Sequence, residues 1–220
     1  MDAIKCITTR RSIRAFTDKP VPAELLTEII DTARWSPSYK NSQPWEVIVV
    51  SGEKKEELSN MLLDLLEQGK QPKPDLPVPE NWPEREQARI DQLYASRKEA
   101  TGLDLNDPKI ITAAKKANFR FYKAPHGIFL FQDASLSLWS LFDLGLFAQS
   151  LMLAAHAKGL GTVPQAFLTD YSPQVKKFLG IDESKRLVLG LSIGYPDLQS
   201  PANQLHTDRM ATEDIISRLE

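Results

Sequence analysis

The spacing of hydrophobic positions changes period along this chain, and the changes mark its elements. Ile4 and Ile7 follow Asp2, a good cap, and predict a short first helix to about Arg10. After Pro22, which suits a first helical turn, Leu25, Leu26, Ile29, Ile30 and Ala33 form a helical stripe. Glu46–Ser51 is a β-branched run and reads as a strand, and Glu53–Glu67 returns to helical spacing. Gln68–Pro83 holds Pro72, Pro74, Pro77, Pro79 and Pro83 and predicts an extended loop. Glu84–Ala100 reads as a charged, exposed helix, and Asp107 followed by Pro108 starts another that runs to about Tyr122. Residues 68–122 form an excursion too poor in apolar residues for a core of its own.

Gly127–Phe131 predicts a second strand. Ala134–Lys158 is apolar nearly all round and reads as a long buried helix, stopped at Gly159. Thr162–Phe167 reads as an extended turn, Ser172–Leu179 as a short capped helix, and Arg186–Gly194 as the third strong strand. A polar tail begins near Tyr195 and ends in a short helix near Asp214–Leu219.

Composition narrows the function classes. Hydrophobic residues make up 42% and charged residues 25%, enough for a sizeable core. With 27 basic and 29 acidic side chains the net charge is −2, without the basic surplus of a nucleic-acid binder. A single Cys6 excludes an internal disulfide and a Cys-rich zinc site, and fits a cytoplasmic setting. Met1-Asp2 opens no signal peptide. Asp143 and Gln149 inside the apolar stretch 134–157 argue against a lipid span.

The local chemistry is concentrated in a few places. Arg10, Arg11 and Arg14 with Ser12 put three guanidinium groups and a hydroxyl within five residues, a set suited to one phosphate. A helix continuing through them would carry Arg10 and Arg14 on one face. Trp35–Trp45, with Pro37 and Pro44, is an irregular loop dense in hydroxyls and amides. Gly159-Leu160-Gly161 ends a helix, the reverse of a dinucleotide fingerprint, and the chain has no P-loop and no nucleophile elbow. His126, His156 and His206 lack metal-ligand spacing; His156, inside the apolar helix, reads as a satisfied core residue, and Cys6 as packing. With no side-chain nucleophile or base in evidence, the pattern suits an enzyme whose cofactor carries the chemistry.

The opening Arg10–Phe16, the Ser36-Pro37-Ser38 and Asn41-Ser42-Gln43-Pro44-Trp45 loop, Gly159-Leu160-Gly161 with Val163-Pro164-Gln165, Ile193–Pro196 and a late Arg209 together resemble the flavin-dependent nitroreductase family. Asn118–Asp133 is similar to the branch acting on nitrobenzoate-like compounds. The resemblance implies one α+β domain over residues 1–220: a mixed central sheet of about four or five strands with helices on both faces, around the helix at 134–158. It also implies FMN, a homodimer with sites at the interface, and hydride transfer from NADH or NADPH to a nitroaromatic or quinone. Arg10, Ser12 and Arg209 would then hold the phosphate, with Arg11 and Arg14 beside it. Ser38, Tyr39 and Asn41 would reach the flavin across the interface, and Val163, Pro164 and Gln165 would lie along its ring. Where the family often has Glu and Gly after the proline, this chain has Gln165 and Ala166; Thr207 stands where a basic residue is common.

The excursion supplies candidates for the acceptor: Trp82 and Phe121 as stacking rings and Arg120 as partner for a carboxylate. Phe119 and Tyr122 are equally readable as the core stripe of their helix. Two alternatives remain. One is a different flavin reaction on the same fold, such as dehalogenation, azoline-ring oxidation or flavin breakdown. The other is a non-catalytic module that binds a phosphorylated ligand through Arg10–Arg14.

Overall fold

The computed structural model describes residues 1–219. Its helices are α1 (Ala3–Thr9), α2 (Ala23–Ala33), α3 (Gly52–Glu67), α4 (Glu84–Thr101), α5 (Pro108–Phe119), α6 (Ser140–Ala157) and α7 (Ser172–Leu179). The strands are β1 (Glu46–Ser51), β2 (His126–Asp133), β3 (Gly161–Gln165) and β4 (Lys185–Gly194), in the order β1-β2-β4-β3. All three pairings are antiparallel; the expected mixed character is confined to one isolated parallel bridge, Ser12 to Thr162.

Alternation along β2 explains the layers. Ile128 and Leu130 join a core with Leu26 and Ile29 of α2 and Leu144, Phe147 and Leu151 of α6. Phe129 and Phe131 face the opposite core, with Leu58 and Leu62 of α3, Phe119 of α5 and Val175 of α7. Helices thus cover both faces, as expected of an α+β fold.

Several boundaries differ from the sequence reading. The stretch expected as an extended turn near Thr162 is the edge strand β3, where Pro164 is tolerated because an edge needs fewer N–H donors. The long helix begins at Ser140, not Ala134: the Asp133 carboxylate accepts from Ser135 N and Oγ and holds the preceding residues in a turn. α5 ends at Phe119, because Phe121, Tyr122 and Lys123 take left-handed φ of 52°, 51° and 62°. Near the end of the chain a 3₁₀ turn at Thr212–Asp214 replaces the expected helix at Asp214–Leu219.

α6 is not buried all round. Leu138 and Trp139, just ahead of it, and Phe142 and Leu146 on its outer face are exposed, Phe142 to 67%. Trp35 adjoins in character, exposed to 78%. Several contacts tie residues 68–83 to the core: Asp75 accepts from Ser172 Oγ (2.7 Å), Lys176 Nζ (3.0 Å) and Leu187 N (2.8 Å), Lys73 N donates to Asp170 O (2.6 Å), and Tyr171 OH donates to Lys70 O (3.3 Å). Among the described residues no helix is long and apolar enough to cross a membrane.

Candidate functional site

α1 ends at Thr9, so the arginine segment is extended, not helical. Its backbone is clamped on two sides. Ile13 N donates to Thr162 O (3.0 Å) on the β3 side. On the tail side the buried Asn203 accepts from Arg14 N (2.7 Å) and donates to Ala15 O and Asp197 O (both 2.8 Å). The approach to β3 requires glycine: a Cβ on Gly161 would sit 2.6 Å from Ile13 Cγ1. Ile13 and Phe16 are buried, and Arg10, Arg11, Ser12 and Arg14 between and before them are half-buried.

Arg10 is the unusual member. Its Nε and Nη1 are buried and have no partner. Burial, and after it the Arg209 cation, hold its pKa below the ordinary arginine value. Arg209, in the tail, spends Nη1 on nearby backbone and hydroxyl oxygens of Thr207 and Asp208. Two buried cationic donors without an acceptor, beside a second cation, have the chemistry to take a dianionic phosphate.

The cavity here, about 510 Å³, is lined by Thr9, Arg10, Arg11, Thr162, His156 and His206 among others. Both histidines escape the sequence reading. His156 is half-buried at the end of α6, with Nε2 2.8 Å from Thr9 Oγ1, rather than a core residue. Burial first, then Arg10 and Arg11, lower its pKa. His206 Nε2 lies 2.7 Å from Arg11 Nη1, with the guanidinium, which can only donate, as the donor. The only sequence signal for His156 was its place one turn before the Gly159 stop.

The remaining candidates divide. On β3 the side chain of Val163 is buried and Pro164 faces outward. Gln165 does not project toward a ligand: its Nε2 donates to Asn118 O (3.0 Å) and Oδ1 (3.1 Å), and its Oε1 accepts from Ser192 Oγ. The Glu-to-Gln departure therefore changes a buried network between β3, β4 and α5. In the loop with Ser38, Tyr39 and Asn41, expected to act across an interface, Tyr39 N donates to Asp143 Oδ1 (3.1 Å) of α6, Tyr39 packs edge-on to Trp139, and Ser38 Oγ accepts from Gln43 N (2.9 Å). Lys40, Asn41 and Gln43 have positive φ, an irregularity foreshadowed by the prolines.

The acceptor candidates fare differently again. Phe121 is fully buried against Phe129 and cannot stack on an acceptor in this conformation; Gly127 makes room for it, since a Cβ there would lie 2.4 Å from its ring. Trp82 is 47% exposed just ahead of α4, and Arg120 is exposed at the end of α5, in the field of Glu67.

With the geometry in hand, comparison with known proteins decides the family. A family model, that of the nitroreductase family, matches residues 7–195. The chain belongs to the nitroreductase family. A 4-nitrobenzoate reductase of Pseudomonas putida is 34% identical over 211 residues, covering 92% of this chain and 89% of that protein. The structure of an FMN and NADPH-dependent nitroreductase NfnB from a Sphigopyxis sp. strain HMH superposes with a TM-score of 0.95 at 28% identity, covering all of both chains. The FMN-dependent nitroreductase NfnB from Mycobacterium smegmatis, solved in complex with NADPH, gives 0.93 at 30%, over 99% of this chain and 98% of that one. The match to the Sphigopyxis structure spans the whole chain, the excursion at 68–122 included.

Proposed function

We propose that this nitroreductase reduces nitroaromatic compounds, and quinones as second acceptors, with donor and acceptor using one pocket in turn between two copies of the chain. The protein is a flavoenzyme whose cofactor is FMN and whose reductant is NAD(P)H. When bound, FMN supplies the centre that takes up and hands on hydride. The observation that carries the reading is the unpartnered, buried guanidinium of Arg10 beside Arg209, within a chain of this family.

Each residue then has a task. Arg10, Ser12 and Arg209 hold the phosphate, with Arg11 and Arg14 beside it and His156 and His206 at its rim. Pro164 and the β3 backbone line the ring, while Val163 and Gln165 set the position of that strand from behind. The exposed apolar side chains Trp35, Trp139, Phe142 and Leu146 support the homodimer. Pairing through that face brings Ser38, Tyr39 and Asn41 of the partner subunit toward the site. Trp82 and Arg120 remain the candidates for the acceptor, and the single Cys6 fits a cytoplasmic location.

The test is direct. The purified protein is yellow, releases FMN on denaturation, sediments as a dimer and gives parallel double-reciprocal lines with NAD(P)H and a nitrobenzoate. A colourless protein refutes the flavoenzyme; intersecting lines refute the shared pocket.

A further inference from the structure

A second cavity, about 850 Å³, lies between α4 and the tail. Arg85, Arg89 and Leu93 of α4 face it at helical spacing, and from the other side it is closed by His206, Arg209 and Met210. It adjoins the phosphate cluster, since Arg209 lines it and also acts on Arg10, and His206 lines both cavities. Asp208 and Asp214 share the lining, but it is the Asp214 carbonyl, not its carboxylate, that accepts from Arg85 Nη2 (2.7 Å). Arg89 pairs with Glu86 on its own helix (2.6 Å), so each arginine keeps most of its five donors for the cavity.

A helix that buries no residue at all has no packing reason to turn two arginines inward. Nor does the FMN phosphate need them, given Arg10, Arg11, Arg14 and Arg209 around it. Arg85, Arg89 and Arg209 line a space beside the Arg10–Arg14 segment, although the cofactor brings one phosphate. We infer that the α4–tail cavity takes the adenosine 2′-phosphate of the reductant, making the enzyme selective for NADPH over NADH. This rests on the NAD(P)H-dependent reading above. A phosphate monoester presents a dianion that guanidinium forks grip bidentately, better than the singly charged phosphodiester groups of NADH. Leu93 and Met210 offer an apolar surface for the base, and the volume is that of a nucleotide-sized site.

The test measures binding apart from turnover. Calorimetry on the FMN-loaded protein compares adenosine 2′,5′-bisphosphate with adenosine 5′-monophosphate. The bisphosphate is expected to bind at least tenfold tighter, and Arg89→Ala to cut that ratio at least fivefold. The NADPH-to-NADH ratio of kcat/KM should fall at least tenfold in Arg89→Ala and in Arg85→Gln, the latter chosen because Arg85 also holds the tail. Lys98→Ala, whose side chain pairs with Asp104 away from the cavity, should leave both ratios unchanged. Equal binding of the two nucleotides, or an unaltered ratio in Arg89→Ala, overturns the inference. So does loss of FMN from Arg89→Ala, which would give the cavity to the cofactor. Selective bisphosphate binding in a protein that oxidises neither dinucleotide would support the cavity assignment and refute the reductase reading instead.

Discussion

The arginine segment is bordered by two layers built on opposite principles. On one side stand β2 and β4: Ile128, Phe129, Leu130, Phe131, Leu187, Leu191 and Ile193 have no exposed surface. On the other stands α4, eighteen residues long with none buried, held by contacts such as Arg85 to the Asp214 carbonyl. The sheet is stable through apolar burial and needs no ligand. The α4 layer gains little from burial, so a bound anion can change its energy by an amount comparable to what holds it. The fold's rigidity and its binding capacity are therefore carried by different residues, and substitutions should separate them.

The sharpest contrast is between two aromatics that the sequence placed together. Phe121→Ala should cost about 3–5 kcal/mol in urea unfolding, as for other fully buried phenylalanines. Trp82→Ala should stay within about 0.5 kcal/mol. Similar costs at both would erase the distinction between layers. At the seam, Asp75→Ala should cost about 1.5–3 kcal/mol, because it removes a charged acceptor from Ser172, Lys176 and Leu187 N together. An unchanged urea midpoint would mean that residues 68–83 are held by something else.

Arg10→Ala should do the reverse. The apoprotein keeps or slightly gains stability, since a buried unpaired charge is removed, while FMN affinity falls by about 1.5–3 kcal/mol, roughly 10- to 150-fold. Flavin fluorescence on titration reads it; unchanged affinity would remove Arg10 from the site.

The smallest effect is in pH. In the apoprotein both His156 and His126 sit below the ordinary histidine pKa of about 6.5. For His156 the causes are burial and then Arg10 and Arg11; for His126, burial, then Lys55, partly opposed by a hydrogen bond to the Val21 backbone. The unfolded chain binds these protons first, so their contribution is full above about pH 6.5 and is lost as pH falls through the lowered values. Bound phosphate offsets the arginine cations at His156, so phosphate should flatten the acid side of the Tm profile. His156→Gln should abolish that flattening and leave the His126 share.

What the sequence disclosed divides along the same line. Regular apolar periods gave β1, β2, β4, α2 and α7 to within a residue or two, and the clustered arginines pointed to the segment that the structure clamps between β3 and the tail. The end of α5 was illegible, because Phe121–Lys123 hold left-handed φ without a glycine or asparagine; the cause is a ring drawn into the space left by Gly127, across the sheet. Motif order could not tell which way the Gln165 side chain faces; the structure turns it into a buried network with Asn118 and Ser192. His156 and His206 meet only through Arg11 and the shared cavity, a proximity that no local pattern encodes.

The buried Asn203 has a consequence for the order of synthesis. It grips Arg14 N and Ala15 O, and the hydrogen-bonded pair Arg14–Asn203 is separated by 189 residues. During translation the N-terminal arginines leave the ribosome first and wait, unclamped, until nearly the whole chain has followed at about 5–20 residues per second. The clamp on the arginine segment is thus among the last features of the molecule to form. Nascent chains cannot capture the cofactor early, and a chain cut short before residue 203 carries the whole arginine motif with nothing to hold it in shape.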